Sequence, residues 1–131
     1  MNKKRYVISL FVVFVFVFLY DFLVHGFLLK GIYMQTAQLW RPEEEYKMLV
    51  MFISEFCFSA VLAYIFTLNY EGKGIGEGIR FGLCIGMLLG AIEIGKYSYM
   101  PIPIVLMLSW VLASLLIGLG SGVVLSLVYK R

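Results

Sequence analysis

Between Arg80 and Met100 the chain reads RFGLCIGMLLGAIEIGKYSYM, a run long and apolar enough to cross a bilayer, which takes about 20 residues at roughly 1.5 Å each. Gly82, Gly86 and Gly90 recur at every fourth position and leave a groove without side chains along one helical face. Glu93 and Lys96 then put ionisable groups where hydrocarbon should be. Eleven steps of roughly 100° set Glu93 about 20° from Gly82 on the helical wheel. Groove and acid therefore share a face, and that face must meet protein or water, because acyl chains solvate neither backbone nor charge.

Three more runs of this kind make up most of the 131 residues, 62% of which are hydrophobic, with a mean hydropathy of +0.92. A soluble domain of this length has no use for so much apolar surface. The expectation is a single all-α transmembrane domain over residues 1–131: an integral membrane four-helix bundle with spans at about 6–29, 46–68, 80–100 and 102–129. The opening MNKKR and the apolar run after it imitate a signal peptide. The run continues past Asp21 to Leu29 with no small-x-small cleavage site, so it reads as a retained first span.

The basic residues orient the bundle. With the N-terminus inside, Lys3, Lys4, Arg5, Lys73, Arg80, Lys130 and Arg131 lie on the inner side, against Lys30, Arg41, Lys47 and Lys96 at or near the other. Seven against four gives both termini cytoplasmic, a short inner glycine-rich turn and a longer outer connection. A net charge of +3, concentrated at helix ends, speaks of topology and excludes nucleic acid as a partner.

In the outer connection, Tyr33, Trp40 and Tyr46 suit the headgroup region. Ile32 to Leu39 reads as an extension of the first helix or an interfacial helix. Pro42 with Glu43, Glu44 and Glu45 predicts the start of the second helix, with Glu43 and Lys47 as an i,i+4 pair. The inner loop places Gly72, Gly74, Gly76 and Gly78 at alternate positions. No apolar strand precedes it and no Gly-Lys-Ser/Thr ends it, so it is read as a flexible turn and not a phosphate loop. Pro101 and Pro103 predict a tight turn between the last two spans.

Small residues let helices approach closely in a membrane. The third span offers Gly82, Gly86 and Gly90 and the fourth Ser114, Gly118 and Gly122, a pairing expected within one chain. The second span adds Ser59 and Ala63. Cys57 and Cys84 lie at different depths, outside any CxxC or metal-ligand spacing, and read as buried, inert thiols.

At about 1.5 Å per residue, Asp21, Glu55 and Glu93 fall at similar heights in the outer half of a core roughly 30 Å thick. His25 stands one turn above Asp21, and Lys96 three residues beyond Glu93. Tyr20, Tyr97 and Ser109 are within reach of the same zone. A charge in the membrane costs about 2.5–3.5 kcal/mol even on the lenient insertion scale. These groups must therefore pair, hold protons or line a wet cavity. Asp21, His25, Glu55, Glu93 and Lys96 are the candidate ligand or proton site, with Glu55, nearest mid-membrane, the foremost functional acid. The ligand types would suit a divalent metal, but the paired Glu-x-x-His repeats of a di-iron bundle are missing, so neither metal nor cofactor is expected. No serine, cysteine or histidine has nucleophile–base spacing, and no catalytic residue is assigned.

The segments YDFLVHGFLL…LWRPEEE, YEGKGIGEGIRFGLCIG and YSYMPIPIVLMLSW, which span Tyr20 to Trp110, resemble a group of small four-span bacterial inner-membrane proteins of unknown function. The resemblance implies a stand-alone protein of the cytoplasmic membrane with the N-terminus inside, and implies no activity, substrate or cofactor. The small multidrug exporters are similar in size and span number, but carry their membrane glutamate in the first span, where this chain has only Asp21 near the outer end. The expected role is that of a non-enzymatic accessory or interaction protein in the lipid bilayer. Its partners would be other membrane subunits or further copies of itself, and its polar cluster would fix helix assembly. The alternative is a small proton- or cation-coupled transporter that uses Glu55, Glu93 and Asp21.

Overall fold

The computed structural model describes residues 1–130 and is helical, with no strand among them. Four helices are long and apolar enough to cross a membrane. Arg131, counted above with the inner basic residues, lies outside the described residues.

Helix α1 (Lys3–Leu23) starts where the Asn2 side chain accepts the Arg5 N–H at 3.1 Å, capping one of the donors left free by the first turn. At Val24–Leu28 it widens into a π turn, sealed by Leu29 N–H on the Val24 carbonyl at 2.8 Å, which extends the span to Lys3–Leu28. Leu29 breaks the helical geometry, and the short α2 (Lys30–Gln35) follows with a 3₁₀ turn at Ala37–Leu39. The Ile32–Leu39 segment is thus divided between α2 and this turn, with Thr36 non-helical between them, and is set off from the first span at Leu29.

Helix α3 (Met48–Leu68) begins later than the Pro42–Glu45 signal predicts. Glu43–Glu45 forms one isolated 3₁₀ turn, and Tyr46 and Lys47 leave helical geometry (ψ 131° and 71°). The expected Glu43–Lys47 pair is therefore absent among the described residues: its i,i+4 spacing never becomes a helical turn.

Helix α4 (Ile75–Tyr97) starts five residues before Arg80 and absorbs half of the presumed flexible turn. Gly72 and Gly74 make the turn, with φ of +77° and +69° that favour glycine. Gly76 and Gly78 are helical. The organising group is Glu77, only 6% exposed, whose carboxylate accepts Glu71 N–H at 2.7 Å and Lys73 N–H at 2.8 Å. Helix α5 (Ile104–Val128) follows Pro103, whose fixed φ and missing donor suit a helix start.

The spans are arranged in the order α3, α1, α5, α4. The α4–α5 contact is by far the most extensive, while α3 meets α1 and only marginally α5. Glycine makes the α4–α5 approach possible. A Cβ at Gly86 would stand 2.8 Å from Leu115 Cα, one at Gly118 2.6 Å from Gly86 Cα, and one at Gly122 2.8 Å from Gly82 N. Gly82 abuts the Gly118 carbonyl, and Gly78 abuts Gly122 and Ser126. Gly90 is looser, with its nearest neighbour, Val111 Cγ1, at 3.5 Å. Ser114 serves through its backbone carbonyl beside Gly86.

At the end that carries both termini the helices converge. Leu10, Leu62, Phe66, Leu125 and Tyr129 form one core there with Phe81 and Tyr70 against it, and Phe66 meets Phe81 edge-on at 5.2 Å. Tyr129 is fully buried and its hydroxyl accepts Asn2 N–H at 3.1 Å. Ser59 and Ala63 are buried on α3, and Ala63 belongs to the same core as Val13 of α1. Large apolar side chains such as Phe22, Leu49, Leu88 and Leu112 cover the outside, as lipid contact requires. Cys57 and Cys84 belong to that outer surface as exposed free thiols, which corrects the expectation that they are buried: each lies on the face of its helix turned away from the bundle.

Candidate functional site

Away from the aromatic core the helices separate around a cavity of about 500 Å³. All five candidate residues line it: Asp21 and His25 from the first span, Glu55 from α3, Glu93 and Lys96 from α4. Tyr20 lines it too, and its hydroxyl donates to the Ala113 carbonyl at 2.7 Å, tying α1 to α5. Tyr97 and Ser109 do not line it. Tyr97 is exposed, and the Ser109 hydroxyl is spent on the Val105 carbonyl one turn back.

The polar groups divide into a satisfied half and an unsatisfied half. Lys96 Nζ donates to both Glu93 oxygens at 3.0 and 2.9 Å and stands 5.5 Å from the Trp110 ring centroid, within cation–π range. The Trp110 indole N–H donates to the Tyr33 hydroxyl at 2.7 Å, and that hydroxyl lies 2.6 Å from His25 Nδ1. With the imidazole proton on Nε2, Tyr33 donates to Nδ1 and the Nε2–H turns toward Asp21, whose Oδ1 is 4.0 Å away. Asp21 thus has a distant partner only. Glu55 has less: its Oε2 is buried and without a hydrogen bond.

Over this network lies the segment beyond the π turn. Tyr33 meets the Trp40 ring edge-on at 5.6 Å, and Trp40 meets Trp110 at 6.0 Å. Trp40 is fixed by its indole N–H on Thr36 Oγ1 at 2.9 Å, and Thr36 in turn donates to the Ile32 carbonyl. Burial pushes the Tyr33 hydroxyl above the usual tyrosine range, with the Trp110 N–H acting in the other direction, so Tyr33 stays a neutral donor and acceptor.

Tyr33 and Trp110 were not singled out for the site by sequence reasoning. Trp110 carried a signal, since an indole N–H within an apolar span must find an acceptor. Tyr33 carried none, because its place depends on the chain folding back beyond Leu29. Counting the charged groups that line the cavity, three carboxylates face one lysine, so two negative charges are left for a ligand or for protons to neutralise when His25 is neutral. Among the described residues no group of three His, Cys, Asp or Glu is close enough to hold a metal ion. No protein-family profile, curated protein or solved structure matches the chain.

Proposed function

We propose that this chain is a small four-span membrane protein whose cavity takes an organic cation in exchange for protons on Asp21 and Glu55, making it a proton-linked transporter or a cation-binding subunit of one. The observation that carries the reading is the orphaned Glu55 oxygen, buried beside a cavity of about 500 Å³. A polar cluster that served assembly alone would satisfy its members, since a buried acceptor left unmade costs about 1–3 kcal/mol. The volume falls within the range of small-molecule sites, and Tyr20, Tyr33, Phe58 and Trp110 supply aromatic faces for a cation. The excess of basic residues at the end that carries the termini supports an orientation with both termini cytoplasmic. The resemblance to small four-span bacterial proteins supports placement in the cytoplasmic membrane.

A second reading keeps the chain as an accessory or interaction protein, and the Glu93–Lys96–Trp110–Tyr33–His25 chain favours it, because that chain is satisfied and joins the first span, α2, α4 and α5. The two readings part at Glu55. Tetraphenylphosphonium binding to the detergent-purified protein, lost in Glu55→Gln while the protein stays folded, supports the cation site. Equal binding by the wild type and Glu55→Gln, or none by either, leaves the accessory role.

A further inference from the structure

A second cavity of about 400 Å³ lies on the other side of His25 and Tyr33. Its wall holds Lys30, Trp40, Arg41, Glu43 and Tyr46, and none of the cavity acids described above. The first span ends at Leu28 and α3 begins at Met48, so this chamber lies at the level where two spans leave the hydrocarbon. That level is occupied by lipid headgroups.

Lys30 and Arg41 form no ion pair among the described residues. Against Glu43 they leave the chamber one positive charge when His25 is neutral. Trp40 and Tyr46 are amphipathic rings of the kind that settle at the headgroup level. The backbone behind Arg41 is held, because Trp40 is fixed to Thr36 through its indole and Pro42 follows directly.

We infer that this chamber binds the headgroup of an anionic phospholipid, with Lys30 and Arg41 on the phosphodiester and Glu43 accepting from a headgroup hydroxyl. Arginine meets phosphate oxygens through its planar fork, and lysine adds a point charge. A single phosphodiester cancels the one positive charge left over, whereas a zwitterionic headgroup brings a second cation that the site does not need. Phosphatidylglycerol has both the single negative charge and the hydroxyls. The site involves neither Asp21 nor Glu55, so it stands or falls apart from the cation reading.

The test is thermal unfolding of the detergent-purified protein titrated with dioctanoyl phosphatidylglycerol, dioctanoyl phosphatidylcholine or inorganic phosphate, with native mass spectrometry to count retained lipid. Phosphatidylglycerol should raise Tm saturably, by roughly 10 °C at a hundredfold excess over its Kd, with one lipid retained. Phosphatidylcholine should give no such rise. Lys30→Gln/Arg41→Gln should lose the rise and the retained lipid while keeping its starting Tm, since both side chains are exposed. If the double variant fails to accumulate, Arg41→Gln alone carries the comparison. Equal rises in wild type and variant, equal rises with both lipids, or a full rise with inorganic phosphate alone would each overturn the assignment, the last by making the occupant a soluble anion.

Discussion

Glu55 and Glu93 line one cavity from different helices, and only one of them has a cation: Lys96 holds both oxygens of Glu93, while Glu55 Oε2 is buried without a partner. The asymmetry gives the two acids different roles. Glu93 is committed to the assembly, and Glu55 is available.

Substitution should separate them in stability. Glu93→Gln leaves Lys96 charged and about one-third exposed, short of a full counterion, and should cost about 1–2 kcal/mol after allowance for that exposure. Glu55→Gln removes a half-buried charge whose Oε2 has no hydrogen-bond partner and should leave stability unchanged or slightly higher. Thermal unfolding of both variants in one detergent checks the order. Equal losses would contradict it.

The glycine seam makes a positional prediction. Gly82→Leu or Gly86→Leu drives a side chain into the α5 backbone, where even a Cβ comes within 2.8 Å of a Leu119 or Leu115 Cα. Overpacking of this kind costs upward of about 3 kcal/mol when backbone has to move. These variants should fail to accumulate as folded protein. Gly95→Ala, with nothing within 4 Å, should accumulate like the wild type. Gel filtration in mild detergent reads both outcomes.

Glu77 should prove more important to folding than any acid in the cavity. Glu77→Ala strands two backbone donors in the turn before α4, those of Glu71 and Lys73, at about 2–3 kcal/mol. Glu77→Gln keeps an acceptor and should lose about half as much. A difference in Tm between the two variants is the readout.

Tyr33 gives the expected alkaline behaviour. Its folded-state pKa is raised above the ordinary value of 10.0, so the folded state holds that proton more tightly than the unfolded chain. Its contribution is complete below pH 10.0 and declines as pH rises through the folded value. Tyr33→Phe should flatten the alkaline loss of stability. At neutral pH it should cost about 1–3 kcal/mol, because the Trp110 N–H loses its acceptor. A pH series of unfolding midpoints tests both parts.

The spans were legible because hydropathy over about 20 residues has one stable outcome in lipid. The glycine seam was legible through its four-residue spacing, although the sequence ended it at Gly82 when it reaches Gly78. That error came from treating alternate glycines as a flexible turn: nothing local shows that Glu77 will fold back to cap residues 71 and 73. Similar heights along three helices placed Asp21, Glu55 and Glu93 at one level. That Glu93 would find a counterion was legible too, because Lys96 stands three residues on along the same helix; that Glu55 would be left without one depended on helix rotation, which is not local. The cysteines were misjudged for the same reason, since an apolar span does not show which face turns outward.

The measurement closest to the central claim is the proton count on cation binding. Tetraphenylphosphonium added to the purified protein in weakly buffered solution should release protons, in a pH range where the cavity carboxylates hold them, and Asp21→Asn/Glu55→Gln should abolish both binding and release. Cation binding with no proton release, or binding and release unchanged in that double variant, would contradict the account.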